Sequence, residues 1–194
     1  MKYIGKKSLS SVLQILLNIM WYVLLAIVVI IPVFMVITLL VDPNLLSKVG
    51  QMKLKIYSSG FDVYLKTAIS TNDMKTFVAI TLSLAEMITG IALIIVYQLR
   101  MIFKTLVKET PFTQENAKRI RLIGIVLIFG TVFAAILDLI MGNFYMQHVK
   151  IPDADITTKF SIDFGSVLIA CVIIILSEVF RRGAKLQEEH DLTV

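Results

Sequence analysis

Residues 8–41 contain no Asp, Glu, Lys, Arg or His, and most of that stretch is Leu, Ile, Val, Met or aromatic. A bilayer core about 30 Å thick is crossed by roughly 20 apolar residues in helix, so this run is more than long enough to span it. Within lipid each backbone N–H and C=O must be satisfied by the chain itself, and a single span can do so only as a helix. Three further runs follow, at about 76–99, 120–141 and 164–180. The expected fold is an all-α membrane protein with four transmembrane helices at about 12–41, 76–106, 114–146 and 164–182. They form one domain over residues 1–194.

Composition agrees. Hydrophobic residues make up 57% of the chain and charged ones 17%, with a mean hydropathy of +0.84, outside the range of soluble domains. Lys2, Lys6 and Lys7 precede the first run as in a signal peptide, but the run is too long and lacks a small-residue cleavage site, so a retained anchor is expected. Placing the amino terminus, loop 100–121 and tail 183–194 inside, with Arg181 and Arg182, collects 12 of the 19 Lys and Arg there. Lys/Arg-rich short loops stay on the cytoplasmic side during insertion, so a cell-membrane protein with both termini cytoplasmic is expected. Loops 42–75 and 147–163 then lie outside. The net charge of +5 is dispersed over both sides and serves orientation, so direct nucleic-acid binding is not expected.

The outer loops suggest a small extracellular β element. Leu54 and Ile56 alternate with Lys53, Lys55 and Tyr57, Ser58-Ser59-Gly60 is turn chemistry, and Val63 and Leu65 resume the alternation. A lone hairpin is marginal in water, and Phe160, Ile162 and Phe164 at period two offer a third strand over 156–164. In the first span Pro32 predicts a kink, and Trp21 is expected to face lipid or a neighbouring helix.

Glu86 is the most informative intramembrane residue. It lies about 15 Å from the outer end of the second span, where a carboxylate is expected to face the bundle interior, a watery pocket or a partner. Ala79, Ser83 and Gly90 share its stripe, and Gly130, Ala134 and Asp138 form a second small-residue stripe on the third span. Counting from the span boundaries offsets Asp138 from Glu86 by roughly 10 Å, a poor spacing for a carboxylate pair. Glu86, Ser83 and Asp138 are the candidate polar site. His148 has no second histidine at ligand spacing, Cys171 is the single cysteine, and no phosphate-binding glycine loop or hydrolase motif occurs. No catalytic residue, metal or cofactor is expected, and the chain is read as a non-enzyme.

Loop 100–121 carries Arg100, Lys104, Lys108, Lys118, Arg119 and Arg121 against Glu109 and Glu115. Thr110-Pro111 breaks the helix, and Thr113 is placed to cap a new one whose first turn holds Gln114 and Glu115. In the tail, Glu178 stands i−3 and i−4 from Arg181 and Arg182, Gly183 could stop the helix or be passed through, and Glu188, Glu189 and Asp191 are acidic. Loop and tail fall on one side with opposite charge. One surface is expected, with Leu186 and Leu192 packing on Phe112 or Leu106.

Two segments, TPFTQENAKRIRLIG and LSEVFRRGAKLQEEHDLTV, carry a resemblance. Pro111, Phe112, Thr113, Asn116, Arg119, Arg121 and Gly124, with Phe180, Arg181, Gly183, Glu188, Glu189, Asp191 and Leu192, resemble the pattern of the YoaS-like bacterial four-helix membrane proteins, a domain-of-unknown-function family. The resemblance implies the four-span fold and no established activity. Members are often encoded beside a small helix-turn-helix regulator, which implies a regulatory partner. The expected function is a regulatory or scaffold protein that binds a cytosolic protein through Pro111, Phe112, Thr113, Asn116, Lys118, Arg119, Arg121, Glu188, Glu189 and Asp191. The alternative is a small transporter, channel subunit or immunity protein using Glu86. Expected partners are the lipid bilayer and a cytosolic protein or a second copy of the chain.

Overall fold

A computed structural model describes residues 9–40, 54–58, 61–65, 71–148 and 157–191. Helix α1 spans Leu9–Leu40, strands β1 and β2 span Leu54–Ser58 and Phe61–Leu65, and helices α2, α3 and α4 span Thr71–Val107, Gln114–His148 and Phe164–Asp191. All four helices are long and apolar enough to cross a membrane. At about 1.5 Å per residue, α2 is about 55 Å long and exceeds the hydrocarbon thickness. Helix α1 remains continuous through Pro32. The missing proline N–H removes only one rung of its ladder.

The chain divides into two compact units. The first contains Met1–Val28, Met87–Ala135 and Ile162–Val194. Its core is Ile102, Ile120 and Ile123, packed with Leu99, Leu106, Leu127, Ile173 and Phe180. These come from the last turns of α2, the first of α3 and the middle of α4, where apolar residues recur at three and four. Gly124 brings α3 and α4 into contact: a β-carbon there would lie 2.5 Å from Ile174 Cγ1 and 3.0 Å from the Ala170 carbonyl oxygen.

The second unit contains Val29–Glu86 and Ile136–Ser161. Phe77 of α2 meets Phe144 of α3 with ring centroids 5.5 Å apart. Lys75 Nζ donates to the Leu39 carbonyl at 3.2 Å and so satisfies one of the last acceptors of α1. Strands β1 and β2 pair antiparallel, with Leu54 opposite Leu65 and Ile56 opposite Val63, which is the alternation read from sequence. The turn residues Ser59 and Gly60, and Lys53 before β1, lie outside the described residues.

The expected third strand does not form. Among the described residues the sheet has two strands, and residues 157–163 carry no regular structure before α4. Ile156 lies outside the described residues. Asp163 caps α4 instead: its carboxylate accepts from the Gly165 N–H at 2.9 Å and the Ser166 hydroxyl at 2.6 Å. Those bonds, the Ser166 hydroxyl foremost, hold the Asp163 carboxyl below its ordinary range. Helix capping at Asp163 thus overrides the period-two pattern that continues into Phe164.

Candidate functional site

The corner between α2 and α3 is built almost entirely from local rules. Helix α2 ends in a Schellman motif: Thr110 N–H bonds the Thr105 carbonyl and Glu109 N–H bonds the Leu106 carbonyl, both at 3.1 Å. Glu109 takes the left-handed position with φ of 63°, a place where glycine would be unstrained. After Pro111, the Thr113 hydroxyl accepts from the Asn116 N–H at 3.2 Å, the N-cap geometry read from sequence. Asn116 itself is fully buried. Its amide donates to the Thr105 hydroxyl at 2.6 Å and the Pro111 carbonyl at 2.8 Å, tying helix end, turn and helix start together. The Asn116 Oδ1 atom has no partner among the described residues. Asn116 is therefore a buried corner bolt and offers no contact surface, although the sequence grouped it with surface residues.

The tail joins this corner through aromatic contact. Phe112 lies 5.3 Å from Phe180, centroid to centroid, and a β-carbon at Gly183 would fall 2.9 Å from Phe112 Cδ1. Gly183 is thus no helix stop: α4 runs through it to Asp191, and the missing side chain makes room for the Phe112 ring. Apolar contact does hold loop to tail, but through Phe180 and Gly183. Leu186 is 66% exposed, and Leu192 lies outside the described residues.

Charge is arranged differently from the sequence expectation. Glu115, in the first turn of α3, takes Lys118 at 3.8 Å and Arg119 at 3.6 Å. Arg119 is half-buried and also reaches Gln98 Oε1 at 3.4 Å. Arg121 is exposed, and its guanidinium has no partner among the described residues. Glu178 accepts from Arg181 Nε at 2.8 Å and Arg182 Nε at 3.2 Å, the i+3 and i+4 pairing read from sequence. Glu189 pairs with Lys185 at 3.7 Å, Glu188 is exposed, and the Asp191 side chain lies outside the described ones.

Among the intramembrane polar residues, Glu86 is half-buried, and its Oε2 atom is buried with no partner among the described residues. The Ser83 hydroxyl donates to the Ala79 carbonyl at 2.8 Å, and Asp138 is exposed. Because Phe77 sits level with Phe144 on antiparallel helices, Asp138 lies level with Ser83, about 4.5 Å along the axis from Glu86. That offset is smaller than the one counted from run boundaries, since ring packing sets the register. Sequence reasoning missed Arg100 as a structural residue. Its Nε donates to Asn18 Oδ1, and its guanidinium lies 4.8 Å from the Trp21 ring centroid and 5.8 Å from that of Tyr22. Asn18 and Trp21 one turn apart on α1 were the available signal. A guanidinium desolvated against two rings gains from cation–π attraction.

Among the described residues no three His, Cys, Asp or Glu side chains gather as a metal site. No curated protein and no solved structure matches the chain. The likeness that is found begins inside β2, covers α2, α3, the corner and α4, and leaves α1 outside. The chain belongs to the DUF2975 family of proteins of unknown function, which it matches over residues 63–194.

Proposed function

We propose that this protein is a multi-pass cell-membrane protein that acts as a regulatory or scaffold platform for a cytosolic protein. Both termini and the corner are cytoplasmic in this reading, and the β-hairpin lies outside. The observation that carries it is the Phe112 contact with Phe180 and Gly183, which joins loop and tail into one exposed surface. Lys118, Arg121, Arg182 and Lys185 on that surface suit an acidic partner, and Phe112, 45% exposed, supplies an apolar anchor. A small helix-turn-helix regulator is the partner that the YoaS-like resemblance favours. The role is one of binding, without catalysis.

The test is cross-linking of a candidate regulator in native membranes. Deleting residues 187–194, or reversing Lys118 and Arg121 to Glu, should each reduce the cross-link while membrane insertion survives. Unchanged cross-linking in both variants would overturn the reading. Labelling from outside intact cells fixes the topology: a cysteine replacing Ser59 should react and one replacing Gln114 should not. The second reading, a transporter, channel subunit or immunity protein, is favoured by the Oε2 of Glu86, buried and without a partner among the described residues. It requires activity to vanish in Glu86→Gln.

A further inference from the structure

Helices α3 and α4 touch at Gly124 and open a cleft of about 370 Å³ toward the corner, lined by Gln114, Lys118, Arg121, Ser177, Glu178 and Arg181 over a floor of Ala117 and Ile174. A second hollow continues past Gln114, Glu178 and Arg181 to Arg182 and Lys185. Five cations therefore line the two hollows against the single carboxylate of Glu178, which Arg181 and Arg182 already share. Among the described residues Lys118 and Lys185 have only long ion pairs, at 3.8 and 3.7 Å, and Arg121 has none. The cleft carries uncompensated positive charge.

Its surroundings distinguish a lipid from a soluble anion. On α4 the exposed residues Leu168, Val172, Ile175 and Val179 form a stripe at helical spacing, and Arg182 is next on it. On α3 the exposed stripe of Val132, Phe129, Ile125 and Leu122 ends at Arg121 and Lys118. The α3 stripe runs into cations of the cleft, and the α4 stripe runs into Arg182 of the adjoining hollow. That is the outline of a phospholipid, with acyl chains along the stripes and phosphate at the mouth. Basic pockets between membrane helices recognise anionic headgroups in this way.

We propose that the cleft between α3 and α4 binds the phosphodiester headgroup of an anionic phospholipid. Arg121 and Lys118 hold the phosphate from α3, Arg182 of the adjoining hollow adds its charge from α4, and the Ser177 and Gln114 side chains are polar neighbours for the glycerol. A zwitterionic headgroup is disfavoured because its cationic end meets the same side chains.

The experiment is a titration of the purified full-length protein in detergent, read by native mass spectrometry. Its probes are phosphatidylglycerol, phosphatidylcholine, glycerol 3-phosphate and a short polyglutamate peptide. Phosphatidylglycerol should bind at least about fivefold more tightly than phosphatidylcholine, and each neutralised cation should cost about fivefold. Lys118→Gln with Arg121→Gln, which leaves the Glu178 pairs intact, should lower phosphatidylglycerol affinity about 25-fold and leave phosphatidylcholine unchanged. Arg182→Gln is a second, independent variant from the other helix, and Lys75→Gln, in the other compact unit, should have no effect. Equal binding of the two lipids, or an undiminished preference in the double variant and in Arg182→Gln, would overturn the proposal. Glycerol 3-phosphate binding as tightly as the lipid would make the cleft a soluble-anion site. Polyglutamate binding without lipid preference would give it to an acidic protein. No cytosolic partner is present in this assay, so its failure leaves the docking reading standing.

Discussion

Gly124→Ala and Gly90→Ala make the same chemical change in two apolar helices, and the structure assigns them opposite signs. At Gly90 nothing lies within 4 Å of the new methyl group, so only helix propensity changes, in favour of Ala by about 0.8–1 kcal/mol. At Gly124 the same gain is opposed by the Ile174 Cγ1 atom at 2.5 Å and the Ala170 carbonyl oxygen at 3.0 Å. The isoleucine can change rotamer, but the carbonyl belongs to the α4 backbone, so the helices must separate. Overpacking of this kind typically costs about 1–3 kcal/mol, leaving Gly124→Ala destabilised by up to about 2 kcal/mol. The two variants should therefore differ by about 1–3 kcal/mol in reversible unfolding from mixed micelles. Adding Ile174→Ala to Gly124→Ala should relieve the closer clash and recover part of the difference. The close-contact argument is wrong if Gly124→Ala is at least as stable as Gly90→Ala.

Other positions can be tested by the same measurement. Asn116→Leu should lose about 1–3 kcal/mol, because Thr105 and Pro111 forfeit their buried donor; a loss no larger than that of exposed Lys104→Leu would deny the bolt. Glu109→Gly should stabilise by up to about 1 kcal/mol, since glycine takes φ of 63° without strain, and a destabilised variant would contradict the left-handed corner. Glu86→Gln should keep stability while Glu86→Leu loses about 0.6–2 kcal/mol, if an interhelical polar contact is what the carboxyl supplies; equal stability of the two would refute that. The Asp163 carboxyl is held below its ordinary value near 3.8, so the folded state releases this proton more readily than the unfolded chain. Its contribution is complete above that ordinary value and disappears as pH falls through the lower folded value. Asp163→Asn should accordingly flatten the acid side of the thermal-stability profile below about pH 4, and an unaltered profile would remove the cap from the account.

What the sequence determined by itself is whatever depends on neighbours along the chain. Run length dictates four helices because lipid leaves the backbone no other partner, and the Thr113 cap, the Glu178 pairs and the hairpin alternation need only residues a few positions apart. Tertiary structure decided what depends on rotation and register between helices. The glycine at 183 is locally indistinguishable from a helix stop until the Phe112 ring occupies its place. An asparagine in the first turn of α3 looks like surface until Thr105 and Pro111 close over it. The Glu86 to Asp138 offset follows from where Phe77 meets Phe144, and apolar runs in lipid carry little information on that sliding coordinate. The third strand was a close competition between a weak periodic pattern and a local cap. Asp163 won it because two short hydrogen bonds within four residues form without any distant partner.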